Sequence, residues 1–133
     1  MIIVYTYVVG DILHKGHIEY LKNAKALGDK LIVGVLTEDA VMEKKARPTM
    51  SFDERFDLVR GLKWVDLVVA QREYSPLENV RSIQPDILVE VTDHKRQPAN
   101  EYMRSNGRRV VSLPYFPNHS SSKLKEIIRG DGN

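Results

Sequence analysis

Five short runs rich in valine and isoleucine constrain this chain more than any other feature: Ile2 to Val8, Leu31 to Leu36, Leu67 to Ala70, Ile87 to Val91 and Val110 to Leu113. Most are continuously apolar and do not alternate with polar residues. That is the pattern of a strand covered on both faces. Helical patterns lie between the runs. Ile18, Leu21, Ala24 and Leu27 recur along one face, and Gly28 supplies a stop. "SFDERFDLVRGL" opens with Ser51 and has Glu54 three residues later, a capping box, with Phe52, Phe56 and Val59 on its apolar face. Pro76 starts "PLENVRSI", a further helix covers Asn100 to Ser105 and ends at Gly107, and "SSSKLKEIIRG" closes the series. Strands alternating with helices predict an α/β fold: a doubly wound parallel sheet in a single domain over residues 1–133. Ligands of such a sheet bind beyond the carboxyl ends of its strands. The least regular stretches, Glu43 to Met50, Asp93 to Ala99 and Tyr115 to His119, are expected to gather there.

Composition narrows the function. A chain of 133 residues with 42% apolar and 29% charged residues is an ordinary globular domain. A net charge of +2 gives no reason to expect a nucleic-acid or membrane partner. The absence of cysteine excludes disulfides, thiolate catalysis and thiolate metal ligands, and fits a cytoplasmic location. The opening "MIIVYTYVV" has neither a basic leader nor a small-residue cleavage site, and reads as a core strand and not a signal peptide.

The chemistry concentrates in "GDILHKGH", between the first strand and the first helix. His14 and His17 flank Gly16, which leaves room for a backbone or a phosphate. A helix N-terminus offers unpaired N–H groups and partial positive charge, so this junction suits a phosphate. Two imidazoles add donors whose charge responds to a bound anion, and they could stabilise charge growing on a phosphoryl group. Ordinary helix-start histidines fit the same residues equally well. A zinc site is a weaker reading, because two nitrogens make half a tetrahedral shell and His94 and His119 lie on distant loops.

"DILHKGHIEYLKNAKALGDKLIVGV" resembles the signature region of the cytidylyltransferase-like nucleotidyltransferases, with their H-x-G-H motif. "RPTMSFDERFDLVRGLKWVDLVV" resembles the family's helix with an E-R pair followed by V-D before a strand, and "SSSKLKEII" its C-terminal hydroxyl-rich helix start. The resemblance implies a Rossmann-like fold, in agreement with the strand and helix pattern, and joining of a nucleoside triphosphate to a phosphorylated small molecule, with in-line attack on the α-phosphate and release of pyrophosphate. Catalysis would then come from positioning and charge stabilisation, without an activated nucleophile.

By the same resemblance, His14 and His17 contact the triphosphate. Asp11, three residues before the first histidine, orders the turn or binds near the metal-bound phosphates, with Val9 and Gly10 beside it. Lys45, or its neighbour Lys44, reaches a phosphate from a mobile loop. Arg55 of the E-R pair forks onto a phosphate, and Ser120, Ser121 and Ser122 hold the β- and γ-phosphates with Lys123 adding charge. Each has a plainer reading, as a helix cap, a solvated charge or a surface ion pair.

The chain departs from the family pattern in three places. The strand end G-[TG]-F-D becomes Val8, Val9, Gly10, Asp11; the G-G-D segment becomes Val91, Thr92, Asp93; and the arginine before the C-terminal hydroxyls is Tyr115, near His119. Asp93 remains a candidate nucleotide contact.

The family divides into cytidylyl transfer to phosphorylated alcohols or phosphonates, and adenylyl transfer to heptose phosphate, flavin mononucleotide or pantetheine phosphate. "PTMSFDER" and "KWVD" resemble the cytidylyl branch, whereas "NAKALGDKLIVGV" is also similar to the heptose enzyme. CTP is the expected donor and ATP the alternative, with a small phosphomonoester or phosphonate as acceptor. Magnesium is expected on the nucleotide, with no dedicated protein metal site. A homodimer is implied by the resemblance. A nucleotide-binding sensor without catalysis is the alternative of another class.

Overall fold

The computed structural model describes residues 1–91 and 97–114. Five parallel strands form one sheet: β1 (Ile3–Val8), β2 (Lys30–Leu36), β3 (Leu67–Gln71), β4 (Ile87–Val91) and β5 (Arg109–Leu113). Their order is β3-β2-β1-β4-β5. The chain builds outward from β1 in one direction, then returns to its other side through β4, so the order reverses between β1 and β4. Five helices connect the strands: α1 (Lys15–Lys25), α2 (Glu38–Met42), α3 (Phe52–Arg60), α4 (Leu77–Ile83) and α5 (Pro98–Ser105).

The continuous apolar runs are explained by two cores. Val4 and Val8 of β1 face one side with Val33, Val35 and Val89, beneath Tyr20, Leu21 and Ala24 of α1 and Val59 of α3. Tyr5 and Tyr7 face the other side with Ile32 and Leu88, beneath Ala40 and Val41 of α2, Val80 of α4, and Ala99 and Met103 of α5. Helices therefore cover both faces, and the expected doubly wound sheet is present.

The strands begin and end within one residue of the sequence reading. The differences lie in the helices. Gly28 is not a left-handed stop; α1 ends at Lys25, and a Cβ at Gly28 would lie 2.7 Å from Val4 Cγ2 and 2.9 Å from the Ile2 carbonyl oxygen. Its missing side chain allows close packing against β1. The five-residue α2 escaped the sequence reading because it is too short to show a period; Thr37 caps it by accepting from the Ala40 N–H. The α5 helix begins two residues earlier than expected, with Pro98 in its first turn, where a missing N–H costs nothing. The capping box at Ser51 is present in both halves.

The N-terminal edge of the sheet is fastened by three aspartates, each preceding a strand. Asp29 accepts from the Ile2 N–H at 2.6 Å, Asp66 from Leu31 at 2.8 Å and Asp86 from Ile3 at 2.8 Å. In return the N–H groups of Asp29, Asp66 and Asp86 donate to the carbonyls of the same three residues. The opposite edge, where β1, β2 and β4 end, carries the loops with the candidate chemistry.

Candidate active site

The junction between β1 and α1 is built by an unusual helix cap. His14 is the N-cap residue, with extended backbone, and its Nδ1 accepts from the Gly16 N–H at 3.0 Å. His17 occupies the third helical position, and its Nδ1 accepts from the His14 N–H at 3.4 Å. This is a capping box in which two imidazoles replace the usual hydroxyl and carboxylate. The ring centroids lie 4.1 Å apart. An imidazole nitrogen that accepts cannot also carry the hydrogen, so each neutral ring holds its hydrogen on Nε2. The cap therefore fixes the same tautomer, with the hydrogen on Nε2, for both rings.

Burial, and secondarily the neighbouring His14, push the His17 pKa from 6.5 down to about 4. His17 is therefore a neutral ring near neutral pH.

Gly10 takes φ +80°, a left-handed conformation, and a Cβ there would stand 3.3 Å from Val59 Cγ2. The shifted glycine lets the loop turn while lying flat on α3. Ile12 has φ +50°, a strained conformation for a β-branched residue.

Asp11 accepts from the backbone N–H groups of Thr49 and Met50 at 2.9 Å, one on each oxygen. Of its two expected roles, the structure gives it the ordering one: it ties the histidine turn to the loop before α3. Gly16 is buried, with its N–H on His14.

Arg55 corrects the sequence reading. Its side chain is 0% exposed. Nη1 donates to the carbonyls of Val9 at 2.7 Å and Leu36 at 2.6 Å, and Nε donates to Met50 at 3.2 Å. The helix face that buries Val59 also buries Arg55, so the guanidinium joins the ends of β1 and β2 to the start of α3 and does not fork onto a phosphate at the surface. Burial lowers its pKa, opposed by Asp11 and Glu38. Among the described residues its Nη2 is buried without a hydrogen-bond partner.

A pocket opens over the carboxyl ends of β1, β2 and β4, at the point where the strand order reverses, as expected for this architecture. Val9, Leu36 and Val91 form strand-end walls, Tyr20 of α1 and Tyr74 reach in, and Lys45 stands at its lining. Tyr20 lies one turn after His17 on the same helix face, which links the pocket to the histidine turn. Both lysines of the pair are exposed, and Lys45 lines the pocket whereas Lys44 does not. Tyr7 and Glu90 also line it. Neither was singled out from sequence, because each sits inside an apolar strand run. Asp93, Ser120, Ser121, Ser122 and Lys123 lie outside the described residues.

His14 and His17 do not line that pocket. A parallel sheet with a crevice at its switch point defines an α/β protein of the kind that binds ligands beyond its strand ends. The chain belongs to the cytidylyltransferase-like family, whose profile matches residues 10–127, and it is a nucleotidyltransferase. It is 44% identical over 131 residues to the bifunctional protein HldE of Wolinella succinogenes, and 37% identical over 131 residues to that of Helicobacter hepaticus. Each match covers 96% of this chain but 27% and 26% of those relatives, so the chain spans about a quarter of their length. A solved structure, the lipopolysaccharide core biosynthesis protein of Thermoplasma volcanium, is 32% identical with a TM-score of 0.76, covering 87% of this chain and 99% of that one.

Two outcomes test the local assignments. Arg55→Met leaves three strand-end and loop carbonyls without their donor, and is expected to lower unfolding free energy by about 3 kcal/mol in urea titration. His17→Gln keeps the accepting group that a capping box needs but removes the titration. With its folded pKa depressed, His17 binds a proton more readily in the unfolded chain, so it destabilises the fold as pH falls from 6.5 towards 4 and contributes nothing to pH dependence above that window. The stability difference between wild type and His17→Gln should therefore change across that window and be flat at higher pH.

Proposed function

We propose that the chain transfers an adenylyl group from ATP to a sugar phosphate of the heptose-phosphate class and releases pyrophosphate. The observation that carries the reading is the double-histidine cap, with both Nε2–H donors at the N-terminus of α1. An oxygen of the acceptor's phosphate attacks the α-phosphorus, and the bond to the β-phosphate's bridging oxygen breaks. Negative charge grows on the transferred group and on the leaving pyrophosphate. Donors fixed in place by the helix cap stabilise that charge without reorganising. Lys45 adds a cation from the pocket lining, and Ser120 to Ser122 with Lys123 would complete the phosphate contacts.

Sequence motifs favoured CTP. Likeness to the bifunctional HldE proteins and to a lipopolysaccharide core biosynthesis protein supports the sugar-phosphate, ATP-using branch instead, because a lipopolysaccharide core is built of sugars. Magnesium carried by the triphosphate would supply charge neutralisation and orientation. Among the described residues no three of His, Cys, Asp and Glu gather as a metal cage, and Asp11 is already engaged by two amides. A cytoplasmic homodimer completes the reading; among the described residues no helix is long and apolar enough to cross a membrane.

Pyrophosphate release measured with ATP and CTP, against heptose phosphate, glycerol phosphate and phosphocholine, tests it. Turnover is expected with ATP and the sugar phosphate. His14→Asn and His17→Gln both retain capping groups, and should lower kcat by about a hundredfold to a thousandfold with the fold intact. Turnover with CTP and an alcohol phosphate would return the cytidylyl assignment, and nucleotide binding without turnover on any acceptor would make the domain a sensor.

A further inference from the structure

Among the described residues, two that carry side chains have a left-handed backbone, Ile12 at φ +50° and Gln84 at φ +54°. Gln84 follows the last turn of α4, where a left-handed residue commonly ends a helix. Ile12 ends no helix. It stands in the turn between β1 and α1, and a β-branched side chain there crowds its own backbone. Glycine or asparagine would take the same shape at little cost. Strain of this kind persists where the surroundings impose it.

The surroundings of Ile12 are specific. On one side, Asp11 accepts from the Thr49 and Met50 N–H groups at 2.9 Å, one on each oxygen. Those amides sit on a fixed base. The Met50 carbonyl accepts from Nε of the buried Arg55 at 3.2 Å, and Ser51 caps α3. On the other side, Leu13 packs on the core and His14 is the N-cap of α1, its N–H on His17 Nδ1. Ile12 and Leu13 therefore bridge a pinned carboxylate and a pinned helix cap. The path between those two points leaves Ile12 left-handed.

We propose that the left-handed backbone of Ile12 is a positioning element for the histidine cap, and that Asp11 is the latch that keeps it in that shape. With the latch closed, the turn delivers His14 to the N-cap position and the two rings cap α1 together. With the latch open, Ile12 relaxes towards extended or right-handed backbone, and the chain enters α1 along another path. The fraction of molecules ready for nucleotide then falls, and apparent affinity falls with it. The inference rests on the reading of the histidine cap as the phosphate contact of a nucleotidyltransferase.

Two double-mutant cycles, Asp11→Ala against Ile12→Gly, test it. The first is read in urea unfolding and needs no ligand. Lost packing and the freedom of glycine cost the same with or without Asp11. Relief of strain occurs only where the latch is closed. Ile12→Gly should therefore shift the unfolding midpoint more favourably with Asp11 in place than with Asp11→Ala. The second cycle is read as kcat/KM for ATP. Asp11→Ala should lower it by about tenfold to a hundredfold, Ile12→Gly alone should leave it within about twofold, and the double variant should recover about fivefold or more of the loss. Ile12→Asn tolerates the left-handed region without glycine's general freedom, and should rescue in the same direction by less. If Asp11→Ala does not fold, Asp11→Asn, which keeps one accepting oxygen, runs the same cycles. The same midpoint shift in both backgrounds, no recovery in the double variant, or a loss in Ile12→Gly alone as large as that in Asp11→Ala would overturn the proposal. If wild type turns over no acceptor, the enzyme reading fails on its own. The urea cycle, with calorimetric affinity for ATP in place of kcat/KM, then decides the role of Ile12 by the same expectations.

Discussion

The hydrogen bonds that the Gly16 and His14 N–H groups give to the Nδ1 atoms of His14 and His17 decide which nitrogen of each ring remains a donor. Without them each imidazole, its ring centroid 4.1 Å from the other, could choose its tautomer and leave either nitrogen as the acceptor. With them, cap formation and donor presentation are one event. The helix supplies the N–H groups, the rings satisfy them, and the far side of each ring inherits the donor. Burial then keeps His17 neutral, so donation does not depend on protonation near neutral pH.

The rest of the fold holds that turn against the strand ends. Asp11 accepts from Thr49 and Met50, and Arg55 gathers the carbonyls of Val9, Leu36 and Met50. Together they lash the histidine turn, the end of β2 and the start of α3 into one unit. Gly10 makes this possible, since its missing side chain lets the turn rest on Val59 and Arg55. At the other edge, Asp29, Asp66 and Asp86 secure strand beginnings, and none of them lines the pocket. The two edges thus divide stability from chemistry.

The sheet was legible because β strands buried on both faces leave unbroken apolar runs, and Ile87 to Val91 could be bounded to the residue. The histidine turn was legible from its place between strand and helix. What sequence could not show was direction. Arg55 looked like a phosphate contact, but α3 turns it inward with Val59, and an E-R pair reads the same either way. Gly28 looked like a helix stop, though its function is contact with Val4. Tyr7 and Glu90 went unnoticed because a single polar residue at the end of an apolar run carries no local signal. Only the pairing of β1 with β4 brings them to one pocket.

Nitrogen NMR of the two imidazoles, recorded on the free protein near neutral pH and again with bound nucleotide, addresses the histidine cap at its root. Both rings should show the hydrogen on Nε2 with Nδ1 bare and hydrogen-bonded, and nucleotide should perturb Nε2 while leaving Nδ1 in place. Hydrogens on Nδ1, fully charged rings in the free protein, or nucleotide binding that leaves both Nε2 signals unmoved would contradict the account.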